Sequence, residues 1–308
     1  MNDYILHLGR YVKLSLLISF LLCFISMPLV IKASKRFTSP IKPELGEHAK
    51  KAGTPAFGSI AIVFSLIISI ALFLSKEQRN IFLPAIIIFF LIGFIDDFLK
   101  VKRTSSDGLK SISKLILQIL GAIVISYLIR EQGYYINFNS YIYYPLSVFL
   151  IIFFVNGVNI TDGLDSLAVK SAIPPLVMLT LCFSSLKAVS LIVISVYVAF
   201  LFYNCPKASI FMGDGGSHIL GATLATLALL SQRPIIVTIS CGVFALELLS
   251  SFIQIFSIRV FKKKVFSIAP LHHALEKKGM NEEKICDRAA CLSFFFSIFS
   301  ATLLKGLL

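Results

Sequence analysis

The chain has 308 residues, 57% of them hydrophobic and 15% charged, and so apolar a composition excludes an ordinary soluble domain. Its net charge is +13, but no soluble basic region of the kind that binds nucleic acid is evident, so we expect no nucleic-acid partner. The six cysteines are scattered without a CxxC pair, which excludes a cysteine metal site. We therefore predict one membrane-embedded domain over residues 1–308.

Apolar runs of about membrane-spanning length recur along the whole chain. We interpret them as about ten transmembrane helices of an all-α polytopic membrane protein. Several are shorter than the roughly 20 residues that a perpendicular helix needs, so these must extend into the flanking segments. The ten runs are 12–31, 57–74, 81–95, 115–129, 145–158, 168–183, 188–203, 219–230, 234–258 and 289–304.

The basic residues predict the orientation of these helices. Most of the 29 Lys and Arg residues fall in the odd-numbered connections, and cytoplasmic connections carry such an excess. Both termini then lie outside, and most of the 16 acidic residues lie on the cytoplasmic face.

Two adjacent carboxylates, Asp96 and Asp97, end the third apolar run. They repel each other, and the helix macrodipole disfavours anions at a helix C-terminus. A cation must offset their charge. Lys100, at i+4 and i+3, and a divalent metal are the two candidates. The alternative interpretation is a solvated helix end that happens to be acidic.

The segment 156–165 ends the fifth run with two amides and two carboxylates. Asn156 and Asn159 are three residues apart, and this spacing places them on one face of a helix. The same spacing separates Asp162 from Asp165. A capped helix followed by an Asx turn would explain one Asp and one Asn, but four polar groups favour a polar pocket.

A second segment holds Asp214 within a run of three glycines, shortly after Asn204 and Phe211. The glycines give a metal ion or a phosphate an uncrowded approach to the carboxylate. Ser217 is predicted to cap the helix that follows. The alternative is a flexible turn with a helix-capping Asp.

Basic and histidine-containing segments join these groups on the predicted cytoplasmic face. Lys51 precedes a Gly/Pro turn at which a phosphate could dock, although a membrane anchor is the alternative. Lys114 begins the fourth run, and His272 and His273 are adjacent, so one should point inward and the other outward. Carboxylates, amides and glycine turns suit Mg²⁺ bridging a diphosphate, and lysines suit the remaining phosphate charge.

Six segments, in order along nearly the whole chain, resemble motifs of the polyprenyl-phosphate N-acetylhexosamine-1-phosphate transferases. The DDxxK, NxxNxxDG and FMGDxGS patterns are specific to that superfamily, and the PLHH segment points to its muramoyl-pentapeptide branch. The matching segments are KKAGTPAFGS (50–59), GFIDDFLKVKR (93–103), GLKSISKLILQ (108–118), NGVNITDGLDSLA (156–168), FMGDGGSHILG (211–221) and APLHHALEKKG (269–279).

The resemblance implies a reaction of bacterial peptidoglycan synthesis. The phosphate of undecaprenyl phosphate attacks the sugar-linked phosphate of UDP-MurNAc-pentapeptide with Mg²⁺ as cofactor. UMP leaves, and lipid I remains in the lipid bilayer. With the orientation that the basic residues predict, we expect a multi-pass protein of the inner membrane, with periplasmic termini and an active site on the cytoplasmic face. The resemblance also suggests a homodimer.

The resemblance also implies roles for individual residues. Asp214 would ligate Mg²⁺ with Asn159 as a second ligand, Asp96 would keep the lipid phosphate ionised, and Asp97 would support the metal or the incoming phosphate. An Asp nucleophile in a double displacement is the alternative. His272 joins Asp96, Asp97 and Asp214 as a catalytic residue. The substrate-binding residues expected are Lys51, Lys114, Asn156, Asn159, Asp162, Asp165, Asn204, Phe211 and His273.

The chain departs from the family pattern at four positions. Ala274 stands where the muramoyl branch usually shows a third histidine, and Ala56, Ser59 and Ser166 replace Thr, Gly and Gly. We expect the two remaining histidines to suffice, because the catalytic role would fall on the first.

Three other functions compete with this interpretation. A transferase that uses UDP-GlcNAc is disfavoured by the PLHH segment but kept open by Ala274. A transporter would place ionisable residues near the bilayer midplane, where Glu247 is the only carboxylate deep in an apolar run. An inactive scaffold is disfavoured by the intact set of carboxylates.

Overall fold

The computed structural model describes residues 2–35, 53–103, 108–133 and 139–306, and these residues form helices without any β-strand. A 3₁₀ turn, Ser184–Leu186, precedes α7. The twelve α-helices of the described residues are α1 Asn2–Ser34, α2 Ser59–Phe73, α3 Lys76–Arg103, α4 Ser111–Glu131, α5 Ser140–Thr161, α6 Leu167–Cys182, α7 Lys187–Asn204, α8 Gly213–Leu230, α9 Pro234–Ser240, α10 Gly242–Phe261, α11 Leu271–Lys277 and α12 Glu282–Gly306.

Seven of these helices, α1, α3, α4, α5, α7, α10 and α12, are long and apolar enough to cross a membrane. The helices α2 and α6 are apolar but shorter. Large apolar side chains, such as Leu29, Phe252 and Phe295, are exposed on the outside of the bundle, as expected where a protein faces lipid. The expectation of an all-α, polytopic membrane protein is therefore confirmed at this level.

The ninth predicted run is not one helix. Residues 234–258 are divided between α9 and α10, because Cys241 leaves helical geometry with a ψ of 24°. Gly242, a weak helix former, follows at the break. A Cβ atom at this position would lie 2.6 Å from the ring of Phe296 on α12. The close approach of α12 therefore requires a glycine at this position, and the prediction of a continuous helix was wrong.

The central element of the fold is α8, in which every residue from Gly215 to Leu230 is buried. It packs against α3 and α5, and glycines allow both contacts. A Cβ atom at Gly93 would lie 2.2 Å from the backbone oxygen of Asp214, and one at Gly221 would lie 2.6 Å from the Cα atom of Val155. The first contact brings the acidic end of α3 against the N-terminus of α8.

Candidate active site

Three carboxylates meet at one end of the bundle. Asp96 and Asp97 come from the C-terminal part of α3, and Asp214 comes from the first turn of α8. Each offers an oxygen atom that lies within 4.8 Å of the others. Asp96 is 2% exposed and Asp97 is 5% exposed. Three like charges in so small a volume need cations nearby.

Two lysines supply positive charge to the three carboxylates. Lys100 Nζ lies 2.6 Å from Asp96 Oδ2 and 2.9 Å from Asp214 Oδ2. Lys114 Nζ lies 2.6 Å from Asp214 Oδ2 and 3.5 Å from Asp96 Oδ2. The structure thus bears out Lys100 as a partner of the acidic pair and brings Lys114 to the same point. With all five groups ionised, the cluster carries one net negative charge.

Backbone N–H groups orient two of the carboxylates. Leu109 N donates to Asp96 Oδ1 at 2.7 Å, and Gly215 N donates to Asp97 Oδ2 at 3.0 Å. The second donor belongs to the first turn of α8, where unpaired N–H groups favour anions. Asp97 is therefore fixed by α8, whereas Asp96 is fixed by the segment that leads into α4.

The cluster fits a divalent cation, because carboxylate oxygens are the ligands that Mg²⁺ prefers. Asn159 borders it, but its Nδ2 atom donates to Asp214 Oδ1 at 2.9 Å and to Ser217 Oγ at 3.0 Å. In this orientation the amide nitrogen faces Asp214. The role of Asn159 as a second metal ligand stays a prediction that requires its oxygen to face the metal.

Ser217 does not cap α8. The helix begins at Gly213, whose φ of 69° lies in the left-handed region that favours glycine. Ser217 lies inside the helix and donates to the backbone oxygen of Asp214 at 3.2 Å. That prediction was wrong, because the glycine-rich segment is itself the first turn of the helix.

Two cavities open on the carboxylate cluster. The first, of about 220 Å³, gathers the four residues that the resemblance implies for the uridine-diphosphate site, Asp162, Asp165, Asn204 and Phe211, with Asp97, Asn159 and Asp214. The second, of about 900 Å³, is lined by Asp96, Lys100, Arg103, Lys110, Lys114, Gln118, Asn156, Asn159 and Asp214, among others. Three residues, Lys100, Asn159 and Asp214, line both cavities.

Two predicted nucleotide-site residues also join neighbouring connections. Asn204 Oδ1 accepts from Ser166 N at 2.9 Å, and its Nδ2 donates to the oxygen of Ile210 at 3.0 Å. Asp165 Oδ2 accepts from Ala208 N at 3.1 Å. Ser166 has a φ of 69°, which gives a physical reason for the glycine that the family pattern places there.

The Gly/Pro turn before α2 closes one side of the first cavity. Phe211 N donates to the oxygen of Pro55 at 2.8 Å, and Gly58 N donates to the oxygen of Phe211 at 2.9 Å. These bonds place Ala56 and Phe211 in the cavity wall. Lys51, predicted to bind a phosphate, lies outside the described residues.

The start of α12 supports the loop between α5 and α6. Asp165 N donates to Glu282 Oε1, and Cys286 Sγ donates to the oxygen of Asp165 at 3.2 Å. Sequence reasoning did not find either residue. Both are more than 100 positions from Asp165 along the chain, and no motif marks them.

The two histidines differ in burial, as predicted from their adjacency. His272 is 1% exposed, and its Nδ1 atom lies 3.1 Å from Glu247 Oε2. His273 is half-buried, and its Nδ1 atom lies 2.7 Å from Glu276 Oε2. His272 packs against Gly163 in the wall of the first cavity.

A buried polar chain connects α4, α5 and α8. Asn156 Nδ2 donates to Gln118 Oε1 at 2.9 Å, and Gln118 Nε2 lies 3.0 Å from His218 Nε2. Asn156 and Gln118 line the second cavity. Sequence reasoning identified Asn156 but missed the other two. Gln118 lies inside the fourth apolar run, and His218 directly precedes the eighth.

Fold and site together define a membrane-embedded transferase, and residues 80–232 match the model of glycosyl transferase family 4. Curated relatives named phospho-N-acetylmuramoyl-pentapeptide-transferase are similar over most of their length. That of Caldicellulosiruptor bescii is 36% identical over 88% of this chain and 91% of its own. The relative from Orientia tsutsugamushi is 33% identical over 92% of this chain and 90% of its own. The relative from Rickettsia prowazekii is 29% identical over 99% of this chain and 96% of its own. The chain belongs to the phospho-N-acetylmuramoyl-pentapeptide-transferase family.

Proposed function

We propose that this protein transfers phospho-MurNAc-pentapeptide from UDP-MurNAc-pentapeptide to undecaprenyl phosphate. The products are UMP and lipid I, in the first membrane step of peptidoglycan synthesis. The observation that carries the proposal is the cluster of Asp96, Asp97 and Asp214 with Lys100 and Lys114, placed between two cavities. Charge neutralisation and positioning are the main requirements of phosphoryl transfer.

The first cavity suits the nucleotide part of the donor. Asp162, Asn204 and Phe211 line it together with Asp214 and Lys100. A uridine diphosphate lying along this cavity would bring its phosphates to the lysine ammonium groups, which suit phosphate as point charges. Asp162 and Phe211 would then select the uridine.

Asp96 is the candidate base for the lipid phosphate. Its Oδ2 atom faces Lys100 and Lys114, and its Oδ1 atom is held by Leu109 N, so the carboxylate is oriented at the border of the second cavity. It would accept the proton of the lipid phosphate, whose oxygen then attacks the donor's sugar-linked phosphate. Mg²⁺, when bound by the carboxylates, supplies charge neutralisation for the diphosphate.

Asp97 and Asp214 have different tasks. The bond from Gly215 N holds Asp97 at the N-terminus of α8, where it can position the cation or the incoming phosphate. Asp214 accepts from both lysines and from Asn159, which makes it the centre of the cluster and the first candidate for a metal ligand. A double displacement with an Asp nucleophile remains the alternative chemistry.

Ten membrane crossings, in a single domain of the bacterial inner membrane, form the proposed topology. The helices α2, α6 and α8 have 15, 16 and 18 residues, so they span about 22–27 Å at 1.5 Å per residue and need flanking residues to complete a crossing. The excess of basic residues places the site on the cytoplasmic face and both termini in the periplasm. A homodimer, which the family resemblance suggests, remains part of the proposal.

Release of UMP tests the proposed reaction. The protein, purified in detergent, is given undecaprenyl phosphate, UDP-MurNAc-pentapeptide and Mg²⁺, and the lipid fraction is analysed by mass spectrometry. We expect lipid I and UMP in equal amounts, and loss of both in the Asp96→Asn variant. UMP without a lipid-linked product would indicate hydrolysis and overturn the proposal.

A further inference from the structure

Glu247 is a carboxylate for which the reaction described above has no task. It lies on α10 and is 7% exposed. Its partner is His272, which lies at the start of α11. The Nδ1 atom of His272 lies 3.1 Å from Glu247 Oε2, and the backbone N–H of His272 donates to Glu247 Oε1 at 3.2 Å. Both the ring and the backbone of His272 are therefore held by one buried carboxylate.

The other ring nitrogen of His272, Nε2, faces Gly163, which lines the first cavity. Nε2 is buried and has no hydrogen-bond partner within the described part of the chain. A Cβ atom at Gly163 would lie 2.5 Å from it, so only a glycine permits this approach. Gly163 itself lines the cavity beside Asp162. A buried polar atom without a partner needs an explanation, and a polar group of the bound donor would provide one.

We propose that Glu247 is the positioning residue for His272. This inference rests on the proposed function and adds to it that His272, which the resemblance implies to be catalytic, contacts the nucleotide donor. A carboxylate can only accept a hydrogen bond, so the Nδ1 atom of His272 that faces Glu247 must carry a proton. The ring then has one tautomer and one orientation, with Nε2 directed to the segment that carries Gly163. The arrangement follows the general rule that a second group fixes the tautomer of a functional histidine.

A neighbouring pair offers a matched control. His273 Nδ1 lies 2.7 Å from Glu276 Oε2, but both side chains are 21% exposed and the two residues are three apart on α11. This pair has the same chemistry as the Glu247–His272 pair without its burial or its link between two helices. Changing Glu276 should therefore affect His273 and leave His272 as it is.

Nitrogen NMR of the protein labelled with ¹⁵N-histidine measures the tautomer directly, without any substrate. The chain has five histidines, and the His272→Gln variant assigns the signal. We expect wild-type His272 to be protonated at Nδ1. In Glu247→Ala this preference should be lost, in Glu247→Gln it should be kept because the amide oxygen still accepts, and in Glu276→Gln only the His273 signal should move.

Kinetics give the second readout. Loss of a hydrogen bond to a charged group predicts that kcat/KM for the donor falls about 10- to 100-fold in Glu247→Ala, while KM for the lipid phosphate stays unchanged. Glu247→Gln should keep most of the wild-type kcat/KM for the donor. A purely structural role of the Glu247 charge would not predict this result. If Glu247→Ala proves unstable in detergent, Glu247→Asp, whose shorter side chain cannot reach Nδ1, takes its place.

Two results would overturn the assignment. One is an unchanged His272 signal in Glu247→Ala, and the other is an unchanged kcat/KM in a variant whose signal has changed. If no variant, wild type included, releases UMP, the proposed function fails. The NMR comparison would then still decide whether Glu247 sets the tautomer of His272.

Discussion

Gly93 sets the distance between Asp96 and Asp97 on α3 and Asp214 on α8. A Cβ atom at this position would lie 2.2 Å from the backbone oxygen and 2.4 Å from the backbone carbon of Asp214. These are backbone atoms, so no change of rotamer can relieve the clash. The variant Gly93→Ala must therefore move α3 away from α8 by about 1 Å, and Asp96 and Asp97, within the next helical turn, move with α3.

A displacement of about 1 Å at a reacting centre costs roughly 100-fold in rate. We expect Gly93→Ala to lower kcat by about that factor and to raise the Mg²⁺ concentration that gives half-maximal UMP release. The assay is a Mg²⁺ titration of turnover, with the elution profile in detergent as the test of folding. Overpacking at a helix crossing should also lower stability by about 1–3 kcal/mol.

Gly121→Ala is the matched control. Its Cβ atom would lie 2.8 Å from Ile88 Cγ2, a side-chain methyl group and not a backbone atom, and 3.5 Å from the ring of Phe89. The methyl group of Ile88 can move, so turnover should change by less than about twofold. Full activity in Gly93→Ala, or an equal loss in both variants, would refute the claim that this contact sets the cluster's geometry.

Three further predictions concern single groups of the site. Asp214→Asn should abolish Mg²⁺-dependent UMP release while the protein stays folded, and retained turnover would remove Asp214 from the metal assignment. Ala274→His should change the rate a few-fold at most, since His272 and His273 suffice; a gain of several orders of magnitude in the same assay would contradict this. His218→Leu should lower stability by about 1–3 kcal/mol, because the buried Gln118 amide nitrogen loses its contact with His218 Nε2 at 3.0 Å and keeps only the longer one to Asn156 Oδ1 at 3.5 Å. An unchanged midpoint of thermal unfolding in detergent would disprove the bond to His218.

Local patterns predicted most of what the fold needs. Nine of the ten apolar runs each coincide largely with a single helix, because hydrophobicity over some 15 residues is a strong signal. The convergence of Asp96, Asp97 and Asp214 followed from the prediction that they lie at helix ends on one face of the membrane. What the runs could not reveal is the break at Cys241, since the apolar run continues through it.

Contacts between distant positions explain the other failures. Glu247 was noted as an isolated carboxylate, and its partner His272 lies 25 positions away, a separation that no helical period predicts. His218 is completely buried and directly precedes an apolar run, so only the packing of α4 against α8 reveals its bond to Gln118. Ser217 was wrongly assigned as a helix cap because the glycines around Asp214 were interpreted as a turn. In the structure α8 already begins at Gly213.

The choice of donor by the purified protein tests the central claim most directly. The protein in detergent is given undecaprenyl phosphate and Mg²⁺ with either UDP-MurNAc-pentapeptide or UDP-GlcNAc, and UMP release is followed over time. We predict UMP from the muramoyl donor alone. UMP from UDP-GlcNAc alone would contradict the account and make Ala274 the first residue to explain.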